Sequence, residues 1–286
     1  MPRLNVAGRS IHYLERGADR GAPIVMVHSG GLSSRQWSRL IPRLPATHRV
    51  LAPDLLGAGA SDPVDHHHNF HFHEDVDVVD ALLATLDEPA HLVGHSYGGL
   101  VAMSAARRHP ERVRSMSLFE PVAFGVLYSR GDEPAIRDLE DYDHDGSFLD
   151  DRAGGSEPWM ERFIDWWQGQ GAWRRLPDPS RAAFLAVGRK VFQEVRSLIA
   201  DRTPHEVYRA LEIPSLLMRG ERSPLAARSV CAILAESLPR ARLVTVEGAG
   251  HMAPLTHGQE VGAHIAAHLA EAGPSYTGSR SARSEV

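Results

Sequence analysis

A serine at position 96 lies in the segment GHSYG at 94–98, in surroundings that favour nucleophilic catalysis. An apolar, strand-like run precedes it and a helix-like run follows, so Ser96 falls at a sharp strand-to-helix turn. Only small residues fit two positions either side of such a serine, and glycine occupies both. The turn would lift the Ser96 hydroxyl clear of the sheet edge and direct the amide of Tyr97 toward the same space. We therefore predict that Ser96 is a nucleophile rather than a helix-capping residue.

The candidate general base is His251, which lies in the glycine-rich segment VEGAGHM at 246–252. The chain has 17 histidines, so a histidine near a turn is expected by chance and its position matters more than its type. This turn follows the last predicted strand and precedes the last predicted helix. It would therefore lie at the same carboxyl edge of the sheet as Ser96. The order of serine before histidine differs from that of chymotrypsin and subtilisin.

At these residues the sequence resembles the α/β-hydrolase superfamily, over about residues 4–270. The segment HSGG at 28–31 is similar to that family's His-Gly-x loop, and Gly30 matches the position whose amide completes the oxyanion hole; Ser29 replaces the usual glycine. The segment DLLGAGASD at 54–62 is similar to a structural segment of the family. The resemblance implies an α/β-hydrolase fold, with a mostly parallel eight-stranded sheet flanked by helices and a helical cap. Amides of Gly30 and Tyr97 that converge on one point would each stabilise an oxyanion by about 3 kcal/mol.

The acidic partner of His251 is less obvious. Many members of the superfamily carry an aspartate in the turn after the seventh strand, where this chain has Ser223. In the family's strand order the sixth strand, which ends at Glu120, lies about 4.8 Å from the nucleophile's strand. Haloalkane dehalogenases and some lipases resemble this arrangement. We therefore expect Glu120 to be buried and hydrogen-bonded to Nδ1 of His251, with Glu221 and Glu247 as alternatives.

The elements that must position these residues alternate along the chain. Predicted strands lie at 4–7, 11–16, 23–28, 49–54, 90–94, 113–119, 213–218 and 242–246, and predicted helices at 34–44, 72–86, 97–108, 226–237 and 257–270. Strands separated by helices indicate βαβ units and a parallel sheet. The alternation stops between 122 and 212, where the sequence favours helices. We predict a core of residues 1–121 and 213–272, a helical cap at 122–212 and a flexible tail at 273–286.

Composition narrows the class of protein. The sequence is 43% hydrophobic and 23% charged, which suits one large core. A net charge of -5, with 31 basic and 36 acidic residues, argues against a nucleic-acid partner. Cys231 is the only cysteine, which excludes an intramolecular disulfide. No apolar run has the length of a signal peptide or a membrane span, so the expected location is cytoplasmic. A homodimer is left open.

Histidines cluster just before the second predicted helix, at positions 66, 67, 68, 71 and 73. Zinc sites need defined ligand spacings and supporting partners for each ligand. The cluster lies outside the catalytic series, so we predict a solvated loop and no metal site, although adventitious nickel or zinc binding would not be surprising.

Aromatic residues indicate the substrate. Four of the five tryptophans, Trp159, Trp166, Trp167 and Trp173, fall in the predicted cap. A cap rich in tryptophan over the carboxyl edge of the sheet favours a small molecule with an apolar or aromatic part. Trp37, Ser29 and Trp167 are the candidate substrate-binding residues.

The sequence thus predicts a serine hydrolase that cleaves a carboxylic ester, lactone or thioester through an acyl-enzyme, without a cofactor. Carbon–carbon bond hydrolases and cofactor-free haloperoxidases also use serine and remain open. Haloalkane dehalogenases and epoxide hydrolases use aspartate as nucleophile, so Ser96 argues against both. A non-catalytic protein of the same fold that binds a small molecule is the alternative from another class.

Overall fold

The computed structural model describes residues 2–18, 20–65 and 68–273. These residues form an eight-stranded sheet with the order β1-β2-β4-β3-β5-β6-β7-β8. The strands are β1 (Arg3–Val6), β2 (Arg9–Gly17), β3 (Gly21–Val27), β4 (His48–Pro53), β5 (Ala90–His95), β6 (Val113–Phe119), β7 (Ser215–Gly220) and β8 (Ala241–Val246). β2 pairs antiparallel with β1 and β4, and the other neighbouring strands pair in parallel. The predicted mostly parallel sheet is confirmed.

Helices cover both faces of the sheet. They are α1 (His73–Ala84), α2 (Tyr97–Arg108), α3 (Gly125–Arg130), α4 (Glu133–Glu140), α5 (Glu157–Gln168), α6 (Ala172–Arg175), α7 (Asp178–Ala200), α8 (Leu225–Ser237), α9 (Ala253–Thr256) and α10 (Gly258–Glu271). Successive residues of a strand point to opposite faces, so β3 sends Val25 toward one apolar cluster and Ile24 toward another. The first cluster includes residues of α1, α2 and α8, and the second includes residues of α10.

One predicted helix is wrong. Residues 34–44 form two short 3₁₀-helices, Ser34–Arg39 and Ile41–Arg43, instead of one α-helix. Pro42 in the second has no amide to donate, which prevents a continuous helical ladder. The amide of Ser34 donates to Asp54 Oδ1 at 2.7 Å, so a tertiary contact fixes the start of the first.

The segment between β6 and β7 is helical, and the structure describes all of it. Helices α3 and α4 pack against α8 of the core. Further along, α5, α6 and α7 share a third apolar cluster that includes Trp159, Trp173 and Phe192. The predicted tail, apart from Gly273, lies outside the described residues. Among the described residues, no helix combines the length and the apolar character that crossing a bilayer requires.

Candidate active site

Ser96 occupies a strained turn between β5 and α2. Its backbone has φ 55° and ψ -121°, a conformation that residues with a side chain rarely adopt. The flanking glycines are required by close packing. A Cβ at Gly94 would lie 2.7 Å from the carbonyl oxygen of Gly98, and a Cβ at Gly98 would lie 2.3 Å from the carbonyl oxygens of Val27 and His28. The turn is therefore built so that the Ser96 side chain projects into a pocket that it lines.

A carboxylate lies against the imidazole at position 251. Glu120 Oε2 is 2.6 Å from His251 Nδ1, and Glu120 is fully buried. The other oxygen, Oε1, accepts a hydrogen bond from the amide of Gly220 at 2.6 Å. The backbone at Glu120 has φ 44°, and its amide donates to the carbonyl oxygen of Met218. Two contacts with β7 thus fix Glu120, and its carboxylate in turn favours the His251 tautomer with its proton on Nδ1.

The two alternative carboxylates lie elsewhere. Glu221 is exposed, and its Oε2 accepts a hydrogen bond from the amide of Gly248 at 2.8 Å. Glu247 is exposed at the end of β8. Ser223, at the position where many relatives carry an aspartate, is buried, and its hydroxyl finds no hydrogen-bond partner among the described residues.

A chain of three buried hydrogen bonds joins the loop of Ser29 to the loop of His251. The amide of Ser29 donates to Gln36 Oε1 at 2.9 Å, Gln36 Nε2 lies 3.1 Å from His95 Nδ1, and His95 Nε2 lies 2.9 Å from the carbonyl oxygen of His251. Burial, with a contribution from the neighbouring His251, holds the pKa of His95 well below its ordinary value. Neutral His95 can then accept from Gln36 and donate to the carbonyl. This role of Gln36 and His95 was not predicted from the sequence, although His95 stands next to the nucleophile.

The pocket in front of Ser96 is mostly apolar. Ser29, Gly30, Tyr97, His251 and Trp167 all line it, together with several aromatic residues of the cap. The ring of Trp167 stacks on the imidazole of His251, with centroids 3.6 Å apart and an interplanar angle of 18°. The cap therefore covers one face of the imidazole with an indole.

Trp37, expected in the pocket wall, does not line this pocket. It is 1% exposed and packs in the apolar cluster that contains Ile24 and Val261. Its sequence position close to the Ser29 loop suggested the pocket, but the 3₁₀-helix turns the indole toward the sheet and α10.

A buried ionic cluster lies beside the pocket and was not anticipated. Lys190 Nζ lies 2.9 Å from Asp75 Oδ2 and 2.7 Å from Glu194 Oε1. Asp75 also accepts hydrogen bonds from the hydroxyl of Tyr97 at 2.7 Å and the amide of Leu56 at 2.9 Å. Burial opposes the charge of Lys190, but the two carboxylates outweigh it and raise its pKa. Only the i, i+4 spacing of Lys190 and Glu194 could have signalled the cluster in advance.

Glu194 should make the free energy of unfolding depend on pH. Burial raises its pKa from the ordinary 4.5 to about 6. Folded protein therefore binds more protons than unfolded protein between these values, so this contribution to stability is present below pH 4.5 and lost as the pH rises through 6. Relative to the variant Glu194→Gln, the wild type should lose about 2 kcal/mol across this range. Urea unfolding of both proteins at pH 4.5 to 7 measures the difference, and a constant difference would contradict the prediction.

Part of the histidine cluster can be located. His66 and His67 lie outside the described residues, and His68 Nε2 is 2.7 Å from Glu74 Oε1. Within the described part of the chain, no group of three or more His, Cys, Asp or Glu side chains is arranged to hold a metal ion.

Comparisons with known proteins agree with this fold. A family model described as the alpha/beta hydrolase fold matches residues 22–258. The chain is 28% identical over 245 residues to a pimeloyl-acyl-carrier-protein methyl ester esterase of Neisseria meningitidis serogroup C, with 82% of this chain and 89% of that protein covered. It is 28% identical over 281 residues to a 2-hydroxymuconate semialdehyde hydrolase of Pseudomonas sp. strain CF600, with 93% and 92% covered.

Solved structures share the fold. A thermophilic esterase from Thermogutta terrifontis, in a structure with malate bound, matches with a TM-score of 0.72 at 20% identity, covering 95% of this chain and 99% of that one. The chain belongs to the α/β-hydrolase fold family. Its relatives by sequence include a methyl ester esterase and a semialdehyde hydrolase, which supports the conclusion that this protein is a hydrolase.

Proposed function

We propose that the protein is a serine hydrolase that cleaves carboxylic esters through an acyl-enzyme. The observation that carries this proposal is that Ser96 and His251 line one pocket while Glu120 Oε2 lies 2.6 Å from His251 Nδ1. The same groups could cleave a lactone or a thioester, because all three substrates present a carbonyl carbon with a leaving group. The esterase relative from Neisseria meningitidis supports the choice of ester.

The proposed mechanism assigns one task to each group. Ser96 Oγ attacks the carbonyl carbon while Nε2 of His251 accepts its proton. Glu120 keeps the other imidazole proton on Nδ1 and stabilises the imidazolium that forms. The amides of Gly30 and Tyr97 donate to the oxyanion. His251 then returns the proton to the leaving alkoxide. Water attacks the acyl carbon while Nε2 of His251 accepts its proton, and the bond to Ser96 Oγ breaks as that proton returns to the serine and the acid is released.

The pocket favours a neutral substrate with an apolar or aromatic part. Phe124, Phe163 and Trp166 are among the rings that line it. Its lining, as far as the structure describes it, contains no Lys or Arg, so a substrate carboxylate would meet no opposite charge there. Glu194, which does line it, would repel such a group.

Covalent labelling tests the nucleophile and substrate screening tests the reaction. A fluorophosphonate should form an adduct with Ser96, which mass spectrometry of the labelled peptide would locate. Uncharged methyl esters of arylalkanoic acids should be hydrolysed. Absence of an adduct on Ser96 would favour a protein of this fold that binds a small molecule without catalysis.

Carbon–carbon bond hydrolysis is the second candidate. It is favoured by the relative from Pseudomonas, whose match covers 93% of this chain. The same serine and histidine would serve, so labelling does not separate the two reactions. A neutral 1,3-diketone assayed beside the ester series does, because its second carbonyl stabilises the departing carbanion as an enolate that then takes up the proton from His251. Cleavage of the diketone faster than any ester would replace the ester assignment.

Gln36→Met should slow the reaction by loosening two loops. The substitution keeps the side-chain length but leaves the amide of Ser29 and Nδ1 of His95 without their partner. Small displacements of catalytic groups cost large factors in rate, so we expect the rate of fluorophosphonate labelling to fall by about 10²-fold. Gln193→Met removes one partly buried hydrogen bond to the carbonyl oxygen of His68 and serves as the control. Equal effects of the two substitutions would contradict a positioning role for Gln36.

A further inference from the structure

A carboxylate oxygen with no partner faces the pocket beside the nucleophile. Glu194 belongs to α7 of the cap, is 4% exposed and lines the pocket that Ser96 and His251 also line. Its Oε1 accepts a hydrogen bond from Lys190 at 2.7 Å. Its Oε2 is buried and accepts no hydrogen bond from any group among the described residues. Buried carboxylate oxygens are normally hydrogen-bonded, because desolvation of an unpaired acceptor is costly.

The neighbouring polar groups already have hydrogen-bond partners, and none of them donates to Glu194 Oε2. Lys190 donates to both Asp75 and Glu194, and its ammonium also lies 4.0 Å from the centroid of the Phe70 ring. Asp75 accepts from Tyr97 and Leu56 as well as from Lys190. With Glu194 ionised, two carboxylates face one ammonium, so the cluster carries a net charge of -1. The excess negative charge and the free acceptor are both at Glu194.

The free oxygen lies close to the proposed oxyanion hole. A Cβ built on Gly30 would be 2.6 Å from Glu194 Oε2, so any side chain at position 30 would collide with this oxygen. The amide of Gly30 is one of the two donors assigned to the oxyanion. A group that reaches Oε2 while the substrate carbonyl occupies the oxyanion hole must therefore be attached near that carbonyl.

We propose that Glu194 Oε2 accepts a hydrogen bond from a hydroxyl or amino group on the carbon next to the scissile carbonyl. The proposal rests on the proposed ester hydrolysis and names its substrate class, namely 2-hydroxy and 2-amino acyl esters with an apolar remainder. The apolar lining contacts the remainder, and Glu194 selects the donor. At pH 8 the carboxyl is ionised, since its pKa is about 6.

Selectivity should be large because an unmatched substrate leaves a charged acceptor buried and unpaired. Sites built to hydrogen-bond a polar substrate group discriminate strongly against the analogue that lacks it. For one hydrogen bond to a charged acceptor we expect about 30-fold.

Three esters of one shape test the proposal with the intact chain at pH 8. They are methyl 3-phenylpropanoate, its 2-hydroxy derivative and its 2-amino derivative, and the measured quantity is kcat/KM. The wild type should prefer at least one donor-bearing ester by about 30-fold over the plain ester. Comparison of the 2-hydroxy ester with the 2-amino ester identifies which donor Glu194 binds.

Two substitutions at position 194 test the residue. In Glu194→Gln, Lys190 should hold the amide oxygen and turn the amide NH₂ toward the pocket, so the preference should fall below about threefold. In Glu194→Leu no acceptor remains and the preference should vanish. Glu221→Gln, at an exposed glutamate outside the pocket lining, should keep the wild-type preference.

The results separate this proposal from the proposed function. Equal hydrolysis of the three esters by the wild type, or an unchanged preference in both Glu194 variants, would overturn the role of Glu194 while ester hydrolysis stands. If no ester is hydrolysed and no adduct forms on Ser96, the proposed function fails. In that case the affinities of the three esters for Ser96→Ala, measured by calorimetry, test the role of Glu194 separately. Equal affinities, or no binding of any of the three, would overturn that role.

Discussion

Glu120→Gln is expected to lower kcat/KM for ester hydrolysis by about 10⁴-fold. The glutamine amide would have a fixed orientation, because the amide of Gly220 donates to the oxygen that takes the place of Oε1. The NH₂ group must then face Nδ1 of His251 and force the imidazole proton onto Nε2. In that tautomer Nε2 cannot accept the proton of Ser96. The folded state keeps both hydrogen bonds, so thermal unfolding should stay close to that of the wild type.

Glu221→Gln is the matched control for this prediction. Glu221 is exposed and bonds the amide of Gly248, not the imidazole. Its loss should change kcat/KM by less than about twofold, as for most exposed substitutions. Steady-state kinetics on one ester with both variants measures the contrast. A large loss with Glu221→Gln and a small one with Glu120→Gln would reverse the assignment of the acid.

Ser96→Ala is expected to lower kcat by about 10⁶-fold, to a residual rate that the oxyanion donors and substrate binding still provide. The variant should also lose the fluorophosphonate adduct. Ser104→Ala, at a buried serine of the same helix, should keep both activity and labelling. Mass spectrometry and kinetics of the two variants check the prediction. An adduct of normal yield on Ser96→Ala would place the nucleophile elsewhere.

The strained backbone at position 96 also predicts a difference in stability between two inactive variants. At φ 55° a residue with a Cβ is strained, which lowers the free energy of unfolding, whereas glycine adopts this backbone conformation without strain. Ser96→Gly should therefore be inactive and yet raise the free energy of unfolding by about 1 kcal/mol relative to Ser96→Ala. Urea unfolding of the two inactive variants measures this difference.

The local parts of the fold could be predicted from short patterns. Strand-like patterns located all eight strands of the described sheet to within a few residues. The elbow at Ser96 was predictable because a strand, two glycines and a helix lie within a few residues of it. The helix predicted at 34–44 failed because Pro42 interrupts the hydrogen-bond ladder and because the amide of Ser34 bonds Asp54. Only the second cause is a contact that no local pattern reveals.

The partners of the site side chains were harder to predict. The sequence favoured Glu120 over Glu221 and Glu247 only through the strand order implied by a resemblance. Trp37 was predicted to line the pocket and lies in the core instead, because a sequence does not distinguish an apolar side chain of a pocket wall from one of a core. Gln36, Asp75 and Glu194 carried no signal at all beyond one i, i+4 spacing.

What the sequence by itself determined is the strand-and-helix order, the position of the sharp turn at Ser96 and the helical, tryptophan-rich segment before β7. These depend on backbone preferences and on periodic apolar residues close together in the chain. Only the tertiary structure decided which groups meet. Glu120 and His251 are 131 residues apart, and Lys190 and Asp75 are 115 apart. Such contacts depend on how the strands pair and how the cap lies on the sheet, and those arrangements bring distant charges to within hydrogen-bonding distance of one another.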